Sequence, residues 1–250
     1  YEDEISKILI SIKALDYISS LYDNFSLDLI YGIPYSSMEK WKNNIKTALE
    51  YKPPHLSCYS LTIEPKTILN YKVERGEIEL LDEKLLEKQY NYLIRELELN
   101  GYKNYEFSSF ALPSYYSINN SNYWNGKSYI GIGPSAHSYD GKCRRSWNTS
   151  NNIKYTKAIT NNKLFYNEEK LNINDLYNEF IMTGLRKEDG VSLEKVRSLF
   201  GDKYKDYLIK QSENHIINKN MFFDGDKIKI SKKAKFLTDG LSSDLFFIRY

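Results

Sequence analysis

The chain has 250 residues, 41% hydrophobic and 27% charged, with 35 basic against 33 acidic side chains for a formal net charge of +2. At this size one large or two ordinary domains are expected; the composition excludes a disordered chain, and no apolar run nears the roughly 20 residues that span a bilayer. The charge balance excludes a general polyanion-binding surface, and two distant cysteines, Cys58 and Cys143, exclude a four-cysteine zinc site or an all-cysteine iron–sulfur cluster built by this chain alone.

The chain begins at Tyr1 with no signal-type leader, so its natural start is expected upstream. Ile5, Ile8, Leu9, Ile12, Leu15 and Ile18 fall at three- and four-residue steps, which predicts a helix over 3–20 whose stripe covers a sheet. The apolar run from Phe25 to Ile30, stopped by Gly32 and Pro34, reads as a parallel strand buried on both faces. Ser36 and Glu39 then form a capping-box pattern before a helix burying Trp41, Ile45, Ala48 and Leu49, which Pro53 and Pro54 end. Leu56 to Ile63 is the next strand. Asp82 is expected to cap a helix with Leu86, Tyr90, Leu93 and Leu97 inward and Gly101 at its end.

Tyr105–Phe107 and Tyr129–Ile132 read as third and fourth strands, the latter followed by an Asp140-Gly141 hairpin turn. Strands alternating with helices predict parallel βαβ units in an α/β fold, either an open sheet or the later half of a barrel. Residues 151–174 read as a linker region with some helix from Ile153 to Ile159. Helices over 176–185, 192–200 and 204–216, then a hairpin turning at Asp224-Gly225, make a winged-helix-like pattern over 175–250.

Asp28 is the most unusual residue on pattern alone, because a carboxylate in a buried strand needs a partner; structural pairing and a ligand role both fit. Glu64 and Glu106 read as loop carboxylates. Gly131-Ile132-Gly133-Pro134 lacks the lysine of a phosphate-binding loop and the third glycine of a dinucleotide fingerprint, so tight packing explains it better. Of three histidines, His137 could face a barrel mouth, while His55 and His215 look like ordinary structural positions.

Five ordered blocks carry a resemblance. They are Leu27-Asp28-Leu29-Ile30-Tyr31-Gly32-Ile33-Pro34, Pro54-His55-Leu56-Ser57 continuing to Thr67, and Gly101-Tyr102 to Tyr105-Glu106-x-Ser108-x-Phe110-Ala111. Asn120-x-x-Tyr123-Trp124 and Tyr129-Ile130-Gly131-Ile132-Gly133-Pro134-x-Ala136-His137-Ser138 complete them. From about Phe25 to its end the chain resembles the HemW heme chaperones of the HemN, or oxygen-independent coproporphyrinogen III oxidase, family of radical SAM proteins. The resemblance implies the later part of a radical SAM partial TIM-type barrel over residues 1–150 and a small winged-helix-like α+β domain over 175–250. It also implies a cytoplasmic protein that binds S-adenosyl-L-methionine (SAM), a [4Fe-4S] cluster on a CxxxCxxC motif, and heme.

This sequence has no CxxxCxxC motif, so an N-terminal stretch is expected to be missing and the chain alone is not expected to cleave SAM. By position Asp28 matches a family SAM contact and Thr62 another, made through its backbone. The family's HNxxYW heme block reads here Asn119-Asn120-Ser121-Asn122-Tyr123-Trp124, with Asn119 in place of the histidine. An amide is a poor iron ligand, and His137 is the nearest substitute by position. Arg144 and Arg145 could pair with heme propionates. Implied partners are heme or porphyrin and heme-accepting proteins; peripheral membrane contact during delivery and a dimer go with the same reading.

Three alternatives stand beside it: the true oxidase, an inert fragment, and a nucleic-acid-binding winged helix. Residues 203–235 carry nine lysines against Asp206, Glu213, Asp224 and Asp226. The stretch has no arginine, the residue that base readout and phosphate clamping favour, so no specific nucleic acid is expected as a partner.

Overall fold

The computed structural model describes residues 2–163 and 166–248, and the side chains of residues 9–163 and 166–248. The chain forms two compact units, Tyr1–Ser117 and Ile118–Tyr250.

In the first unit, α1 (Glu2–Leu21) precedes β1 (Ser26–Tyr31), α2 (Met38–Glu50), β2 (His55–Ser60), α3 (Ile68–Glu74), α4 (Glu83–Leu99), β3 (Lys103–Asn104) and β4 (Ser109–Ala111). The sheet order is β1-β2-β4-β3, with only β1 and β2 parallel. The expected run of parallel strands therefore ends at β2. Tyr105–Phe107 is not a strand; it lies in the short connection between β3 and β4, which is far below the length a parallel crossover needs. The Asn104 side chain donates to the Glu106 and Ser109 carbonyls and closes that connection.

Strand pleating puts Leu27, Leu29 and Tyr31 of β1 toward one face with Leu56, Cys58 and Phe110. Helices α2 and α4 cover this face with Trp41, Ile45, Ala48, Tyr90, Leu93 and Leu97, all buried. Tyr31 lies between Trp41 and Tyr90, at ring distances of 5.7 and 6.1 Å. Buried Gln89 joins strand to helix, accepting from the Gly32 N–H through its side chain and from the Trp41 indole through its carbonyl. The N-cap of α2 is Ser37 rather than Ser36, and Asp82 stands at the N-cap of α4 without a side-chain capping bond.

Two expectations about this unit fail for one reason. β1 is an edge strand with Ser26, Asp28 and Ile30 exposed, so it is buried on one face only. α1 forms as predicted, yet its described side chains from Leu9 to Leu21 are exposed or half-buried. Because α2 and α4 already occupy the apolar face, the stripe on α1 has no sheet left to cover there.

The second unit contains α5 (Ile118–Trp124), β5 (His137–Tyr139), β6 (Arg144–Asn148), α6 (Asn152–Thr160), β7 (Tyr166–Lys170) and α7 (Ile173–Leu185). It continues with β8 (Val191–Ser192), α8 (Leu193–Phe200), α9 (Asp202–Ile217), β9 (Met221–Asp224), β10 (Lys227–Ile230), a 3-10 helix over Lys232–Leu237 and α10 (Thr238–Ser243). β5, β6 and β7 form an antiparallel sheet, and β8, β10 and β9 form another. The strand expected over 129–132 is reduced to a single bridge between Tyr129 and Tyr139. The region read as a linker holds α6 as expected, and also β7, whose exposed polar sequence carries no apolar alternation to announce it.

The three helices α7 to α9 and the β9–β10 hairpin form where the apolar spacing puts them. α7 starts at a reciprocal cap between Asn172 and Asp175, and Ser192 caps α8. Gly225 opens the two-residue hairpin loop at φ +58°, a conformation that costs side-chain-bearing residues more. Tyr177, Ile181, Val196, Leu208, Met221 and Ile228 are the centre of this unit's core.

Candidate functional site

The face of the first sheet opposite the helices carries Asp28, expected from sequence to be buried and instead exposed. Register sets Asp28 beside Ser57, with Ser26 opposite His55. Ser26 Oγ lies 2.7 Å from His55 Nδ1, and His55 Nε2 lies 2.8 Å from the Tyr105 hydroxyl. Tyr105 stacks on Tyr116 at 4.5 Å, and its hydroxyl accepts the Ser117 N–H. His55 is thus an interior residue with both ring nitrogens engaged, which its place before a strand did not announce. Burial lowers its imidazole below the ordinary value of 6.5, against an opposing pull from the Asp28 carboxylate. Thr62 is exposed just past the end of β2, after the Leu61 N–H has bonded the Tyr31 carbonyl.

The cysteines do not fit the cluster that the resemblance implies. Cys58 is buried, and burial, with the Asp28 charge second, pushes its thiol far above the ordinary range, where it stays protonated. Cys143 is half-buried in the other unit, and among the described residues no group of three or more His, Cys, Asp and Glu could hold a metal ion.

In the second unit, Asn119 is exposed and Asn120 half-buried on α5. Tyr123 and Tyr129 pack in a T-shaped pair at 4.6 Å, and Tyr129 in turn lies 6.2 Å from Tyr139. Trp124 points elsewhere, with the Arg186 guanidinium 5.5 Å over its ring and Arg186 bonded to Asp239 at 2.6 Å. The two aromatic residues of the Tyr-Trp block therefore have different neighbours, and only Tyr123 reaches toward the β5–β6 hairpin. Arg145, expected as a propionate partner, is already paired with Glu179 and, at 3.4 Å, with Glu169. Arg144 is exposed.

His137 stands exposed on β5, stacked against Trp147 of β6 at 6.0 Å and 25°. The preceding glycine-rich loop is packed tightly, as its motif mismatches suggested. A Cβ on Gly131 would lie 2.2 Å from the His137 carbonyl oxygen, so no other residue fits there without moving backbone. Asn148 Nδ2 donates to the carbonyls of Gly131 and Gly133, and the Tyr155 hydroxyl accepts the Gly133 N–H.

No family model matches the chain. It is 33% identical over 230 residues to the heme chaperone HemW of Lactococcus lactis, covering 88% of this chain and 60% of that protein. Against the heme chaperone HemW of Bacillus subtilis it is 31% identical, covering 73% of this chain and 47% of that protein. Among solved structures, coproporphyrinogen III oxidase (HemN) from Escherichia coli, a radical SAM enzyme, matches with a TM-score of 0.69 at 18% identity. That match covers 88% of this chain and 54% of the enzyme, and it establishes a shared mixed α/β fold. The chain spans about half the length of the curated relatives it matches. With 33% and 31% identity to HemW proteins over 88% and 73% of its own length, and a mixed α/β fold shared with HemN, the chain is HemW-like.

Proposed function

We propose that the chain is the later portion of a heme chaperone that binds heme and passes it to acceptor proteins. In this reading residues 1–150 contribute the later part of a radical SAM partial barrel, 151–174 connect it, and 175–250 form a winged-helix-like domain. The observation that carries the reading is the collinear identity to proteins named heme chaperones over 88% of the chain. Asp28 is assigned to SAM binding as an acceptor for donor groups of that molecule, supported by the exposure of its carboxylate on the sheet face that α2 and α4 leave uncovered. Thr62, exposed just past β2, is assigned a backbone contact to the same molecule. The cluster belongs on cysteines that this sequence does not contain. Heme is cargo, assigned to the second unit around Asn119, Asn120, Tyr123, Trp124 and His137.

The test is a titration of the purified chain with ferric heme, followed by mixing the complex with a heme-free acceptor protein. Saturable binding with transfer is expected. A chain with no saturable heme uptake overturns the reading. The oxidase is the second reading, supported by the fold shared with HemN; oxidative decarboxylation of coproporphyrinogen III by the protein, once supplied with cluster and SAM, would favour it.

A further inference from the structure

α5 is a seven-residue helix that buries none of its residues, so no core packing fixes its place. Side-chain contacts at its end do so instead. The Arg186 guanidinium lies 5.5 Å over the Trp124 ring, and the Lys187 ammonium donates to the Asn125 side-chain carbonyl at 2.9 Å. Trp124 and Asn125, where α5 ends, are thus met by Arg186 and Lys187, where α7 ends. Arg186 is held in turn by Asp239 of α10 at 2.6 Å, so one guanidinium links the last residue of α5 to a third helix.

Both basic side chains lose hydration in making these contacts. The Arg186 side chain is mostly buried, and burial lowers the Lys187 ammonium below its ordinary value of 10.5. The indole face that Arg186 covers is occupied, and a cation there competes with any ring that would stack on it. Tyr123 is placed differently, since it packs on Tyr129 and remains 46% exposed.

We propose that Arg186 and Lys187 are positioning residues for α5, a clasp that anchors the helix through Trp124 and Asn125 and so fixes where Tyr123 meets a bound porphyrin. The proposal rests on the heme-binding reading above and divides the Tyr-Trp block between two tasks. Trp124 is the anchor, and Tyr123 is the cargo contact. Because α5 has no buried residue of its own, loosening the clasp moves the helix without opening the core of the unit.

The experiment uses the full chain labelled with 5-fluorotryptophan, in which three tryptophans give three fluorine resonances and the one lost in Trp124→Phe reports on the clasp. Arg186→Met should shift that resonance. Asp239→Asn, at an exposed position, should shift it in the same direction and serves where Arg186→Met misfolds. Ferric heme and iron-free protoporphyrin IX are then titrated separately. Arg186→Met should weaken both about three- to tenfold, because a contact surface has moved and no iron bond is involved, and Arg186→Lys should recover part of the loss. Trp124→Phe combined with Arg186→Met should add little to either alone, since both changes release one anchor. If folded Arg186→Met and Asp239→Asn leave the Trp124 resonance in place, the clasp does not form and the proposal is overturned. A resonance that moves while both affinities hold also overturns it, because the contact then packs α5 without positioning the cargo site. Losses that add in the double variant would place Trp124 on the cargo itself and count equally against it. A parent that takes up neither ligand overturns the heme-binding reading and the cargo role of α5 with it, while the fluorine shifts still show whether the clasp forms.

Discussion

His55 shows how much one interior polar side chain can hold together. Its ring joins Ser26 of β1 to Tyr105, and Tyr105 receives the Ser117 N–H, so a chain of hydrogen bonds through the imidazole links separate stretches of the first unit. His55→Ala removes one partner of the Tyr105 hydroxyl and opens a cavity, and should cost about 2–4 kcal/mol in urea unfolding. The same residue makes stability depend on pH. Its folded pKa lies below the unfolded value because burial disfavours the charged ring, so the unfolded chain takes up the proton first on acidification. Stability is then fully present above about pH 6.5 and is lost as the pH falls toward the folded pKa. Urea midpoints at pH 7.5 and 5.5 should differ in the parent, and the difference should shrink in a folded His55→Asn variant. Gly131 poses the opposite problem, of space rather than pairing. Gly131→Ala forces a methyl onto the His137 carbonyl and should destabilise the second unit by about 1–3 kcal/mol, read by thermal unfolding.

The β5–β6–β7 sheet is anchored by charge as well as by packing. Arg145 on β6 reaches Glu169 on β7 and Glu179 on α7, so one guanidinium ties strand, strand and helix. Both ends of the Arg145–Glu179 pair are about one-third exposed, which keeps the pair's value modest. Arg145→Met should cost about 1–2 kcal/mol, and a double-mutant cycle with Glu179→Gln should return a coupling of about 1 kcal/mol. A coupling near zero would show that water screens the pair and that backbone pairing and packing hold the sheet. In the first unit α1 makes a different point. A correct helical stripe forms the helix, but the apolar face of the sheet is already covered by α2 and α4.

Taken as one polypeptide, the chain has too few thiolates for the cluster that the resemblance implies. Anaerobic reconstitution with iron and sulfide should yield no [4Fe-4S] absorbance, since two cysteines are fewer than the cluster needs and Cys58 is buried and protonated. The lysines of residues 203–235 are partly neutralised as well: Lys205 pairs with Glu194, Lys227 with Asp189 and Lys229 with Asp224. DNA binding should therefore be weak and steeply salt-dependent, with no sequence preference surviving physiological salt in a gel-shift titration. A retained preference would revive the nucleic-acid alternative.

Local pattern alone determined α2, α4 and the three helices α7 to α9, because each buries side chains at helical spacing, and the β9–β10 hairpin, because a two-residue turn containing glycine is a local event. The likeness to HemW proteins was legible too, through five motif blocks in order. Tertiary structure decided the rest, for reasons that no window of sequence contains. Asp28 is exposed because α2 and α4 cover only the other face of the sheet, Tyr105 became a hydrogen-bond partner because the β3–β4 connection folds back, and β7 exists because β6 offers it an edge. The contrast between His55 and His137 has the same origin. A histidine's chemistry is set by which neighbours claim its nitrogens, and those neighbours arrive from distant parts of the chain.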